Sequence, residues 1–361
     1  MNFNKLSLEE KFGQMILLGL DVYEINEEII KIIKEYKIGG VILYKKNYTS
    51  LETMVEVINK LKNINKDNEI PLFIGIEQEN GRVNRFPKDI VRIYSAKKQS
   101  KTENLKIIDT INKITTYILA SVGVNINFAP VLDVNHGKNK ALGNRSYGKT
   151  VEEVIKYGLP FMNELKENGI ISVIKHFPRI GATSRENLIF LPKTNMSDIE
   201  KNMKVFEKAF ENGADAIMMS HIKIKGYGLK PATLNKKIIK ELLIEKYSYK
   251  GLIITDDLRM RSLKIGLMKK TKLCIEAGNN AFLIKYKKGD INRFFKKSMN
   301  FVKCCEFDPE LINNSAKKIV AFKKKYELTN ESLNPKIEID LINKKINKIN
   351  NTIDSEVGDI L

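Results

Sequence analysis

Pro71-Leu-Phe-Ile-Gly-Ile-Glu-Gln-Glu-Asn-Gly-Arg-Val-Asn-Arg-Phe86 sets a short apolar run directly against a cluster of charged and amide side chains. Its apolar part, residues 72–77, has strand length and is continuous rather than alternating. That pattern suits a strand buried on both faces of a parallel sheet. Seven further apolar runs of strand length follow, most of them likewise continuous: residues 15–20, 40–44, 125–130, 171–176, 216–221, 252–256 and 281–285.

Segments of helical periodicity lie between these runs. Asn26 reads as an N-cap before Glu27 and Glu28, and Ile29, Ile32, Ile33 and Tyr36 then fall on one face. Ser50 caps a second helix carrying Leu51, Met54, Val55, Ile58 and Leu61, and residues 198–212 form a third that ends at Gly213. Eight strand–helix alternations predict an α/β chain built as a single (β/α)8 TIM-type barrel. An open doubly wound sheet is the rival, and no Gly-x-Gly-x-x-Gly turn follows the first strand to support it. The barrel is assigned to residues 1–330. Residues 331–361, polar and rich in Asn and Lys, read as a C-terminal helix or tail.

The 361 residues fit one large barrel, and 43% of them are hydrophobic, enough for a sizeable core. No run approaches the roughly 18–20 apolar residues of a membrane span, and the N-terminus reads as lacking a signal peptide. Three cysteines without metal-ligand spacing point to a reduced, cytoplasmic compartment. The net charge of +19 is spread over the helices rather than gathered in one patch, so the chain reads as no nucleic-acid binder. No metal and no cofactor are expected, and a monomer is the default.

In barrels of this kind the active site forms at the C-terminal ends of the strands. Ionisable groups crowd those ends: Glu77 and Glu79, Asp133, Lys175 and His176, His221, and Asp256 with Asp257. Two of the three histidines of the chain end strands. A core histidine held by a backbone carbonyl is the bland reading of either one. Convergence of several ionisable groups on one rim favours a functional site.

The 71–86 segment resembles the glycoside hydrolase family 3 pattern in which a strand ends in Asp-Gln-Glu-Gly-Gly-Arg. Asn127-Phe-Ala-Pro-Val-Leu-Asp133, Gly143-Asn-Arg-Ser-Tyr-Gly148, Lys175-His-Phe-Pro178 and Gly251-Leu-Ile-Ile-Thr-Asp-Asp-Leu-Arg-Met260 are four more matches, in the family's order. The likeness runs from about Leu6 to Leu328 and is nearest to the single-domain, NagZ-type β-N-acetylglucosaminidases. It implies a retaining glycosidase for terminal β-linked N-acetylglucosamine, with a small carbohydrate substrate and a place in peptidoglycan turnover. Asp256 matches the catalytic nucleophile. Lys175, His176, Arg145 and Arg85 match substrate-positioning residues, and Glu77 stands where the family has a sugar-gripping aspartate.

The segment after Pro178 departs from the family. The pattern there is Gly-His-Gly followed by Asp-Ser-His, the last histidine being the acid/base. Here Ile180 replaces the first histidine, Glu186 the aspartate and Leu188 the acid/base histidine. Glu186, one carbon longer than aspartate, is the candidate acid/base in its place. The alternatives are a catalytically impaired member that binds sugar or cell-wall fragments, and a variant that transfers the sugar to another acceptor such as phosphate, drawn by Arg179 and Arg185.

Overall fold

The computed structural model describes residues 1–137, 139–180 and 191–358. Eight parallel strands follow one another around its centre: β1 (Ile16–Leu20), β2 (Gly40–Leu43), β3 (Phe73–Ile76), β4 (Ile126–Asn127), β5 (Ile171–Phe177), β6 (Ala216–Met219), β7 (Leu252–Thr255) and β8 (Phe282–Lys285). β1 pairs with both β2 and β8. The remaining seam, between β7 and β8, is closed by the Ile254–Ala281 bridge and by the Thr255 amide on the Ala281 carbonyl. This is the (β/α)8 barrel of the sequence reading. β1, β2 and β3 are buried along their whole length, which is why their sequences are continuously apolar.

The helices form the outer layer. α1 (Leu8–Gln14) precedes the first strand, and α2 (Glu27–Tyr36) and α3 (Leu51–Ile64) start at Asn26 and Ser50, whose side chains accept from the Ile29 and Thr53 amides. α4 (Ala96–Ser100) and α5 (Leu105–Val122) lie between β3 and β4, and α6 (Val151–Glu167) between β4 and β5. α7 (Met196–Glu211) leads into β6, and a π-helix, Ile238–Lys246, into β7. α8 (Leu267–Ala277), α9 (Asp290–Lys303) and α10 (Pro309–Lys325) complete the ring.

β4 is far shorter than its apolar run because side chains replace part of the ladder. Asn125 accepts from the Ile74 amide and donates to the Leu72 carbonyl, and Asn127 does the same to both backbone groups of Gln78. The closed end of the barrel is filled by Phe12, stacked 5.3 Å from Phe307 and tilted 5.9 Å from Phe282. Lys323 is fully buried there, donating to Gln14 Oε1 at 2.8 Å and to the Gly39 carbonyl at 2.7 Å.

Residues 331–338 carry no regular structure, and α11 (Ile339–Val357) follows. Asn330 and Leu333 bond to the end of α3 and the turn after it, through Asn65, Asn68 and Asn59. α11 then packs on α4 and α5, burying Ile342, Ile346 and Ile353. Among the described residues no helix is long and apolar enough to cross a membrane.

Candidate active site

The described candidates stand at the C-terminal ends of strands or in the segments that follow them. Glu77 follows β3, Lys175 and His176 lie within the last three residues of β5, and Asp256 follows β7. Arg145 comes from the short 3-10 turn Gly143–Arg145 beyond β4. Glu186 and Leu188, like Arg185, lie outside the described residues.

The centre of the cluster is Glu79, to which the sequence reading gave no role. Arg145 donates to both its oxygens at 2.7 Å, and the fully buried Lys175 ammonium lies 2.5 Å away. Lys175 also reaches Glu77 at 3.2 Å, and Arg85 reaches the other oxygen of Glu77 at 3.0 Å. Five charges thus alternate in sign along Arg85–Glu77–Lys175–Glu79–Arg145. Burial alone would raise the Glu77 carboxyl, but Lys175 and Arg85 overcome it and hold the group down at about 2. Glu79 is likewise held below the carboxylate range, against its burial, by Lys175 and Arg145. Burial of Arg145 is outweighed by Glu79, which keeps the guanidinium charged.

His176 is set by Asp133, the second residue to which the sequence reading gave no role. Its Nδ1 lies 2.8 Å from Asp133 Oδ2, and the same oxygen accepts from the His176 amide at 3.0 Å. The other Asp133 oxygen accepts from the Ile180 amide, so one carboxylate orients His176 and fixes the chain beyond Pro178. A proton on Nδ1 leaves Nε2 as an acceptor, 3.5 Å from Arg145 Nη2. The Lys175–His176 peptide is cis. His221 is occupied elsewhere: its ring bonds to the Thr233 hydroxyl and the Asp257 carbonyl, the core-histidine arrangement.

Asp256 is half-buried, and its Oδ1 accepts from the Asp257 amide at 2.7 Å. Asp257 is turned inward, accepting from the amides of Arg259 and Lys285. Its carboxyl is pushed up by burial and by the neighbouring Asp256 charge. Tyr44 stands directly after β2. Its hydroxyl is pushed up by burial and then by the charges of Glu77, Asp257 and Asp256. Lys285 lies 5.0 Å and Arg85 5.7 Å from the Tyr44 ring centre.

The segment carrying Glu77 and Arg85 is a tight excursion. Glu79 donates its amide to the Val83 carbonyl, and Gln78 Oε1 accepts from the Arg85 and Phe86 amides. Gly81 has φ +62°, and a Cβ there would lie 2.4 Å from Ser95 Cβ.

Residues 7–322 match the family model described as the glycosyl hydrolase family 3 N-terminal domain. The chain belongs to glycosyl hydrolase family 3. A family relative named beta-hexosaminidase, from Vibrio cholerae serotype O1 strain M66-2, is 31% identical over 273 residues, covering 74% of this chain and 82% of its own. A solved family 3 β-N-acetylglucosaminidase from Paenibacillus sp. FPU-7 superposes with a TM-score of 0.85 at 25% identity, covering 95% of this chain and 69% of that one. A fungal multi-domain family 3 β-N-acetylglucosaminidase gives 0.89 at 24% identity over 96% of this chain, and this chain spans 43% of that larger protein.

Proposed function

We propose that this family 3 protein is a retaining glycosidase that releases terminal β-linked N-acetylglucosamine, peptidoglycan fragments included, in the cytoplasm. The observation that carries the reading is the paired Arg85–Glu77–Lys175–Glu79–Arg145 cluster on the strand-end rim where Asp256 follows β7. The fixed donors and carboxylates of the cluster suit the hydroxyls of a sugar ring. Asp256 attacks the anomeric carbon as the glycosidic C–O bond breaks, giving a covalent glycosyl-enzyme that water then opens. His176, oriented by Asp133, accepts from a sugar hydroxyl through Nε2, while Lys175 and Arg145 donate to its neighbours.

The departing sugar oxygen must take a proton. Leu188 has none to give, and Glu186 is the carboxyl assigned to that step. General acid help is typically worth ~10²–10⁴-fold, most for a poor leaving group. The test is hydrolysis of an activated nitrophenyl N-acetylglucosaminide and of a natural disaccharide by wild type and Glu186→Gln. Cleavage of both by wild type, with the variant losing mainly the disaccharide, supports the assignment. If wild type cleaves neither, or only the activated substrate with Glu186→Gln unchanged, the impaired sugar-binding member becomes the better reading. Leu188 in the acid/base position is the observation that favours it.

A further inference from the structure

We propose that Asn343 and Asn350 of α11 are positioning residues for the sugar-gripping segment 77–85, an inference that rests on the glycosidase reading for what that segment grips. Residues 91–95 have no regular structure, so their backbone groups need partners from outside. α11 supplies them. Asn343 accepts from the Val91 amide at 2.8 Å and donates to the Asp89 carbonyl at 2.7 Å, so one side-chain amide pairs with the chain as a neighbouring strand would. Seven residues on, about two helical turns and so on the same face, Asn350 donates to the Arg92 carbonyl at 2.9 Å. Asp354 accepts from the Tyr94 hydroxyl at 2.7 Å and pairs with Lys98.

The braced residues hold the site segment in turn. The Gly81 amide donates to the Ile93 carbonyl at 2.9 Å, and Arg92 Nε donates to the Gly81 carbonyl at 2.8 Å. Gly81 lies two residues beyond Glu79 and four before Arg85. The chain of contacts therefore runs from α11 through residues 89–93 to the turn that aims both Glu79 and Arg85. Freed from α11, this irregular segment would keep its ends but lose its fixed height over the barrel. Fixed height is what lets Glu79 meet Lys175 and Arg145 in line. Groups that bind the ring equally before and during reaction set KM rather than kcat.

The experiment uses the full chain carrying Asn343→Ala and Asn350→Ala together, with Asn343→Ala alone as the milder variant should the pair fold poorly. Amide hydrogen exchange of segment 77–95 is measured beside steady-state hydrolysis of the activated substrate. Exchange of the Glu79 and Gly81 amides about tenfold faster, strands unchanged, and a KM raised about fivefold at near-constant kcat are expected. Unchanged exchange at residues 77–85, with loosening confined to α11 and residues 89–98, overturns the proposal. So does an unchanged KM where wild type turns over. A wild type without any turnover defeats the glycosidase reading alone, and the exchange measurement still decides this one.

Discussion

Glu79 accepts two hydrogen bonds from Arg145 and one from Lys175, one more charged contact than Glu77 receives from Lys175 and Arg85 together. Its neighbour Glu77 gives the clearest pH signature. A carboxyl held at about 2 when folded, against an ordinary 4.5, contributes stability that is complete above pH 4.5 and lost as the pH falls toward 2. Urea midpoints between pH 2.5 and 6 should therefore fall more steeply for wild type than for Glu77→Gln. Asp133→Asn removes the charge that orients His176. It should lower kcat/KM by about 10–100-fold, the worth of one hydrogen bond to a charged group, with the circular dichroism of the fold intact. Asp256→Asn should cost on the order of 10³-fold or more in kcat while sugar binding, read by calorimetry, persists. Of these residues, Asp256, Lys175, His176 and Arg145 were readable as candidates because each sits inside a family-like motif. Glu79 and Asp133 stood in the same motifs, but what they hold is reached only across strands. Arg145 and Glu79 are 66 residues apart, and His176 and Asp133 are 43 apart, so closure of the barrel creates both pairs.

At the level of elements, the turn at Gly81 is the point where backbone geometry and site geometry coincide. Gly81→Ala would have to hold a left-handed φ and push against Ser95, at a cost of about 1–3 kcal/mol. The expected outcome is a lowered Tm together with a raised KM, read by thermal melts and by kinetics on the activated substrate. The strands were readable from the sequence because burial on both faces leaves an unbroken apolar signature, and α2 and α3 because Asn26 and Ser50 cap them as their sequences predict. β4 was overestimated because asparagine side chains took over its pairing, a substitution that hydrophobicity does not register. The π-helix at Ile238–Lys246 also left no distinct periodic mark.

For the whole molecule, Lys323 at the closed end of the barrel is a base without a carboxylate partner among the described residues, pushed well below its ordinary 10.5 by burial. Between that lowered value and the ordinary one, the unfolded chain binds a proton there that the folded chain does not. Stability thus rises with pH from the depressed folded value up to about 10.5, and falls as the pH drops through that window. Denaturation of wild type and Lys323→Met from pH 6 to 10 should show the difference moving in favour of wild type as pH rises. The clasp of α11 on residues 89–92 joins parts of the chain that are 252 to 258 residues apart. During synthesis the strands can begin to pair as they emerge, but the segment bearing Glu77 and Arg85 waits for α11, which follows all eight strands, before it is braced. A nascent chain would thus pair its strands before that brace exists, and the order of emergence separates the forming of the barrel from the fixing of the turn at Gly81.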